Sequence, residues 1–314
     1  MTTISAKSIL ASRHAVSGHT LHAVLTRYPR FIHAELMTHR VFSRNAASSR
    51  AIPVWKLIRD VLADPAVPIQ WGSNKPGMQA GAEVAPWKRW IAKRLWLTGM
   101  YVAVALVALL HLLGLHKQIC NRLLEPWSHI TVLISGTQWS NFLHLRVHKD
   151  AEPHMQVLAR EIQKALDGAS VQVLQPGEWH LPFASTDADD EQIFDAQEMA
   201  NDTREIYPDV MRKYKLRLSV ARCASTSYKT VDGFDMTLER AVALHDKLVA
   251  QDPLHASPCE HVAQADGWGS VANSAAHNGS YNLAALTPKW DHPDQHGNFT
   301  GFRQYRKMLP GECR

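Results

Sequence analysis

Thr38-His39-Arg40-Val41-Phe42-Ser43-Arg44-Asn45-Ala46-Ala47-Ser48-Ser49-Arg50 is the stretch from which the rest of the chain is read. Arg40, Arg44 and Arg50 stand here with His39, Asn45 and three serines, and little apolar material accompanies them. Such a segment offers many hydrogen-bond donors and positive charges and few acceptors of its own. Its natural complement is an oligo-anion, above all a phosphate, held by guanidinium forks, hydroxyls and backbone N–H groups. A solvated polar loop is the competing reading of any arginine- and serine-rich stretch. The apolar lead-in from Tyr28 to Met37 weighs against it, because it delivers the segment from a buried element.

At 314 residues the chain can bury a sizeable core, as one large domain or two small ones. Apolar content of 46% and charged content of 20% place it among globular proteins and exclude a disordered one. A net charge of +5 suits an anionic ligand but is too mild to indicate nucleic-acid binding. Cys120, Cys223, Cys259 and Cys313 are far apart with no CxxC, so no metal site and no disulfide framework is expected. A reducing, cytoplasmic setting follows, and the polar first twenty residues lack the apolar run of a signal peptide.

Residues 1–27 read as one or two strands. Phe31, Ile32, Leu36 and Met37 recur at helical spacing, which predicts a helix from Phe31 to Arg40. Ser48 to Pro53 reads as a turn. Val54 to Leu62 reads as an amphipathic helix with Val54, Leu57, Ile58, Val61 and Leu62 on one face. The glycine-rich stretch Trp71–Gly81 is either a loop that lets backbone approach a ligand or a structural turn. Residues 95–115 carry no formal charge and are long enough to cross a bilayer, and Trp87, Lys88, Arg89, Trp90, Lys93 and Arg94 precede them as an interfacial anchor would. A long helix buried inside an oligomer is the preferred reading, so no membrane partner is expected. Gln175–Phe183 reads as a connector, Asp187–Glu191 as a solvated acidic loop and Leu238–Leu248 as an amphipathic helix.

The opening stretch resembles the arginine-histidine-arginine signature of the flavin-dependent thymidylate synthases. His39, Arg40, Ser43, Asn45, Ser48 and Arg50 stand at matching positions, whereas Thr38 replaces the first arginine and Ala46 the usual glutamate. Four further blocks are similar to that family: Arg122-Leu123-Leu124-Glu125-Pro126, Asn141-Phe142-Leu143-His144-Leu145-Arg146, Ala221 to Tyr228, and His255-Ala256-Ser257-Pro258-Cys259-Glu260-His261. The last of these precedes the signature in most members and follows it here, so the segment order looks permuted, which surface-exposed termini allow. Arg303-Gln304-Tyr305-Arg306 resembles a motif that precedes the signature in unpermuted relatives. Either Gln304 or Arg306 takes over the interactions that the family's glutamine and arginine make where this chain has Glu35 and Thr38, or the segment is a plain basic tail.

The resemblance implies an α+β fold of mixed helices and antiparallel sheet in permuted order. It implies one domain over residues 1–314, with the signature and Arg146 helix in 1–165, a connector in 166–217 and the permuted flavin-binding segment in 218–314. It also implies a homotetramer with FAD where subunits meet, and conversion of dUMP to dTMP with methylenetetrahydrofolate and NADPH. By the same resemblance Arg146 is the catalytic cation that stabilises charge on the pyrimidine. Arg50, Ser48, Ser49 and Arg122 hold the phosphate, and Glu35 lies at the base. His39, Arg40, Asn141, His255, Ser257 and Ser227 match flavin-contacting positions, and the protein's task is to position cofactors that carry the chemistry.

Glu35 stands where the family has glutamine. A carboxylate accepts from an exocyclic amine, so methylation or hydroxymethylation of dCMP is the alternative within the enzyme class. For Arg146 the plain alternative is a surface salt bridge with Glu152. Cys259 reads as a packing residue. The rival from another class is a non-catalytic, membrane-anchored anion-binding protein that uses residues 95–115 as a span.

Overall fold

The computed structural model of the chain describes residues 3–184, 190–191, 193–195, 207–225, 237–252, 254–270 and 288–312. Its central sheet comprises β1 (Ser5–His14), β2 (Thr20–Pro29), β3 (Ser43–Ala46), β4 (His129–Gly136) and β5 (Val171–Leu174), in the order β3-β4-β2-β1-β5. The first two strands form an antiparallel hairpin, β2 pairs antiparallel with β4, and β4 with β3. The expectation of an antiparallel sheet fails at one edge, where β5 runs parallel to β1. Because β1 and β4 both run against β2, β4 and β5 point the same way. The chain between them must therefore cross a face of the sheet, and helix packing there supplies the crossover.

Side chains alternate across the sheet with a period of two. Val24, Tyr28, Val132 and Ile134 face the crossing helix Pro153–Asp167, whose Met155, Leu158, Ala159 and Ile162 complete the main core. Ala23 and Leu133 face the other way, towards Cys223 on the helix Tyr207–Ser225, which in turn packs against Leu238–Ala250. Strand β4 is thus apolar on both faces, as a strand covered twice must be.

The helices are α1 (His33–Leu36), α2 (Val54–Ala63), α3 (Pro86–Leu112), α4 (Lys117–Cys120), α5 (Ser140–Arg146), α6 (Pro153–Asp167), α7 (Tyr207–Ser225), α8 (Leu238–Ala250) and α9 (Tyr305–Met308). Val54, Leu57, Ile58 and Val61 of α2 are buried as their spacing predicts, but Leu62 is largely exposed. Together with α3, α4 and the 3-10 segment Asn121–Trp127, α2 builds a second core. The stretch read as a connector contributes β5 and β6 (Trp179–His180). Strand β6 joins β7 (Ala263–Ala265) and β10 (Phe302–Gln304) in a small antiparallel sheet, while β8 (Trp268–Ser270) pairs with β9 (Pro288–Trp290).

Two histidines, His180 of β6 and His261 two residues before β7, bond serines of the large sheet. The ring Nδ1 of His180 lies 2.7 Å from Ser12 Oγ, and that of His261 lies 2.9 Å from Ser135 Oγ. Both rings are fully buried, and neither Nε2 has a partner among the described residues. Burial holds both imidazoles neutral, at a pKa of about 3 instead of 6.5. Folded values below the unfolded one mean that this stability is fully present above pH 6.5 and is lost as the pH falls from there towards 3. The expected slope is about 1.4 kcal/mol per pH unit for each group. Urea midpoints measured from neutral to mildly acidic pH should therefore fall steeply, and less steeply for His261→Gln. A midpoint indifferent to pH would contradict the assignment.

Candidate functional site

The predicted helix from Phe31 to Arg40 is shorter than its apolar spacing suggests. A 3-10 turn at Arg30–Ile32 leads into α1, which ends at Leu36. The carbonyls of α1 itself are taken by backbone, since Met37 N donates to His33 O at 3.0 Å and His39 N to Leu36 O at 3.2 Å. Just beyond the helix, Arg44 Nη1 donates to the oxygens of Met37 at 2.9 Å and His39 at 3.1 Å. The loop after α1 is thereby folded back against β3, and His39 is carried into a buried position.

Arg146 meets it there from the last turn of α5. Its Nε donates to His39 Nε2 at 2.9 Å, and its Nη1 pairs with Glu35 Oε1. Because His39 Nε2 accepts, the ring proton sits on Nδ1. Burial first, then the guanidiniums of Arg146 and Arg44, hold the His39 pKa below the ordinary value, so the ring is a neutral acceptor. Nη2 of Arg146 has no hydrogen bond among the described residues, and the side chain is partly open to solvent. The arrangement is a guanidinium aimed by two neighbours with a donor edge left over. Glu152, suggested by sequence proximity, is not its partner: that carboxylate caps α6 through Met155 N and bonds His154.

A second group lies beyond the far end of β3, a strand of about 13 Å by its residue rise. The 48–52 turn is tied to the 3-10 segment 121–127, since the buried Asn121 donates through Nδ2 to Ser49 O at 2.7 Å and Ile52 O at 2.9 Å. Arg122 follows Asn121, and both it and Arg50 are exposed, with no side-chain hydrogen bond or ion pair among the described residues. Ser48 is half-buried beside them. Ser49 differs from the expectation: it is buried, and its hydroxyl donates to Glu125 Oε1 at 2.7 Å, so it braces the turn and is not free for a phosphate. Replacing Asn121 with alanine would leave two buried carbonyls unpaired. A loss of about 2–3 kcal/mol in urea unfolding is expected, and a loss within error would show that the turn is held by other contacts.

The third group comes from the C-terminal part. Gln304 Nε2 donates to Ser43 Oγ at 3.0 Å and Asn298 Oδ1 at 2.7 Å, fastening β10 to the start of β3. Asn45 Nδ2 donates to Cys223 O on α7. Arg306 pairs with Glu260 and Glu312, which makes it a brace of the tail. Neither Gln304 nor Arg306 bonds Glu35 or Thr38, so the substitution expected of them takes another form: Gln304 anchors the signature strand itself. Ser257, half-buried, opens the 3-10 turn Ser257–His261 that packs on β3, whereas His255 is exposed. Arg40 and Asn141 are also exposed, with no side-chain hydrogen bond among the described residues, and Ser227 lies outside those residues. Cys259 is buried in the α7–α8 core, and burial pushes its thiol up to about 12, which leaves it unreactive.

One chain therefore brings Glu35, His39 and Arg146 together, keeps Ser48, Arg50 and Arg122 together elsewhere, and joins neither group to His255. No hydrogen bond or ion pair among the described residues links the first two groups. Sequence reasoning counted Arg44 among the anion-seeking arginines, whereas it bonds backbone oxygens, and gave no role to Asn121 or Asn298. Each works by bonding backbone or amide groups across a fold, a signal that no local spacing carries.

No family model matches the chain, and no curated protein matches it in sequence. Among solved structures it is similar to the UMP/dUMP methylase PolB from Streptomyces cacaoi bound with 5-Br UMP, at 18% identity and a TM-score of 0.46 over 53% of this chain and 89% of that one. It is also similar to the flavin-dependent thymidylate synthase ThyX from Helicobacter pylori complexed with FAD and dUMP, at 17% identity and a TM-score of 0.32 over 46% of this chain and 67% of that one.

Proposed function

We propose that the protein methylates a pyrimidine nucleotide at C5, converting dUMP to dTMP with FAD, methylenetetrahydrofolate and NADPH. The observation that carries this reading is the meeting of Glu35, His39 and Arg146, which the sequence resemblance assigns to one site and which come from segments more than a hundred residues apart. Bound flavin and folate would supply the redox and one-carbon chemistry. The chain's own part is electrostatic. The permanently charged Arg146, oriented by His39 and Glu35, offers its free edge to the carbonyl oxygen on which charge develops as C5 becomes nucleophilic.

Arg50, Ser48 and Arg122 fit a nucleotide phosphate, being exposed or half-buried side-chain donors with no hydrogen-bond partner among the described residues. The two groups would serve one nucleotide if a second copy of the chain sets its Arg50 edge beside Arg146, in keeping with a homotetramer whose sites lie between subunits. His39, Arg40, Asn141, His255 and Ser257 are the residues that would hold FAD. The exposed donors of Arg40, Asn141 and His255 suit its diphosphate and ring edge. Permutation of the segment order belongs to the same proposal.

Glu35 supports a second reading, in which dCMP is the substrate. A carboxylate beside the catalytic guanidinium can accept from the cytosine amine, which a uracil does not offer. The deciding experiment incubates purified protein with FAD, methylenetetrahydrofolate, NADPH and either dUMP or dCMP, then weighs the nucleotides. Methylated product from dUMP is expected. Product from dCMP alone would establish the second reading, and unaltered nucleotides with no retained flavin would remove both.

A further inference from the structure

Helix α3 is apolar almost all the way round, yet only one stripe of it is covered. Met100, Ala103 and Val107 pack onto α2 and the 121–127 segment, and Trp96 Nε1 donates to Ala66 O at 2.9 Å. On the opposite side Tyr101, Val102, Leu106, Leu109, Leu112 and Leu113 are between 49% and 76% exposed. Residues 102, 106, 109 and 113 recur at spacings of three and four, so they form one continuous strip. A contiguous apolar surface of this kind on a folded chain marks a docking face. Its N-terminal third is different in character. Lys88, Arg89, Lys93 and Arg94 are interspersed with exposed tryptophans, and Lys88 Nζ and the Arg94 guanidinium sit 5.5 and 4.9 Å from the ring centres of Trp87 and Trp90.

We propose that this face seats α3 in the plane of an anionic lipid bilayer, with the Tyr101–Leu113 strip immersed in the acyl boundary and the cations of residues 88–94 on headgroup phosphates. Charge decides between a lipid and a second copy of the chain. Helix α3 contains no carboxylate, and Glu83 just before it is already paired with Arg89. Two copies packed in parallel would set cation against cation. Packed antiparallel, they would press the cations onto the leucines of the other helix. Neither arrangement offers an anion, whereas a lipid headgroup does, and tryptophans at the boundary suit the same position.

An in-plane placement also follows from what covers the inner stripe. A bilayer-spanning orientation would carry α2 into hydrocarbon, and with it the Lys56–Asp60 and Arg27–Asp64 ion pairs at its surface. Lying flat, the helix leaves α2 on the water side. This inference is independent of the catalytic reading, since none of the residues involved belongs to the candidate site.

Flotation of the full-length protein with vesicles tests it, using phosphatidylcholine alone and phosphatidylcholine mixed with phosphatidylglycerol. The protein should float with the mixed vesicles and far less with the neutral ones. The double substitution Lys88→Gln, Arg94→Gln should lower partitioning about twenty-five-fold, at roughly fivefold for each cation lost. Leu106→Gln with Leu109→Gln should abolish it, while thermal melting verifies that both variants remain folded. Failure to float with anionic vesicles would overturn the proposal, as would flotation unaffected by the leucine pair. Absence of flotation, together with a self-association that the leucine substitutions dissolve, would assign the face to a second copy instead.

Discussion

Arg146→Lys is expected to lower kcat for nucleotide methylation by about a hundred- to a thousandfold, the usual cost of removing one preorganised donor at a developing oxyanion. Lysine keeps the charge but not the planar fork. The guanidinium bonds His39 through Nε and Glu35 through Nη1, leaving a third edge for the substrate. A single ammonium cannot hold both neighbours and still face a carbonyl in a fixed direction. The loss should therefore appear in kcat more than in KM, because the residues proposed for the phosphate lie elsewhere. Flavin content should be unchanged. An equal loss in a variant that has also shed its flavin or its fold would mean that Arg146 is structural.

The other large effect concerns stability. Asp266, only 1% exposed, is the hub of the C-terminal part. Its Oδ1 accepts from Gly267 N at 2.9 Å and His292 Nδ1 at 3.0 Å, and its Oδ2 from His292 N and His296 Nε2 at 2.9 Å. Its backbone oxygen accepts from His14 Nε2 at 2.8 Å, which fastens the end of β1 to the segment. Burial alone would raise the Asp266 pKa, but the bonds from His292 and His296 outweigh it and hold the carboxyl below its ordinary value. Asp266→Ala would strand four donors around an empty position, and a loss of about 3–5 kcal/mol in urea unfolding is expected. Asp266→Asn should lose less, since it keeps one acceptor oxygen. If the alanine variant melted with the parent, the segment 288–304 would be held by the Gln304–Ser43 and Trp290 contacts alone.

Much of the fold was legible where a period repeats long enough to be seen. The strands within residues 1–27 and the amphipathic α2 and α8 are read from the sequence and are found as β1, β2, α2 and α8. Strands β5 and β6 are not, because elements of four and two residues are too short to display alternation, and their pairing is set by distant partners. Helix α1 stops at Leu36, and the loop beyond it is held by Arg44, eight residues further on, a contact that apolar spacing does not show. Periodicity in α3 told that the helix is apolar but not what lies against each side. The candidate site was legible as residue types and blocks, and the structure sets Arg146 in hydrogen-bonding contact with His39 and Glu35. Their separation from Arg50 by the length of β3 was hidden, because a motif gives spacing along the chain and not distance across the fold. Likewise Ser49 reads as a phosphate donor until Glu125, far along the sequence, takes its hydroxyl.

Complementation between two inactive variants tests the central claim most directly, namely that Arg146 of one copy and Arg50 of another act on one nucleotide. Arg50→Ala and Arg146→Ala, each produced alone, should show no measurable nucleotide methylation. Produced together in one cell and purified as mixed assemblies, they should regain a substantial fraction of the parent's activity, because some sites then combine an intact Arg50 with an intact Arg146. Mixed assemblies as inactive as either variant would contradict a site built from two chains.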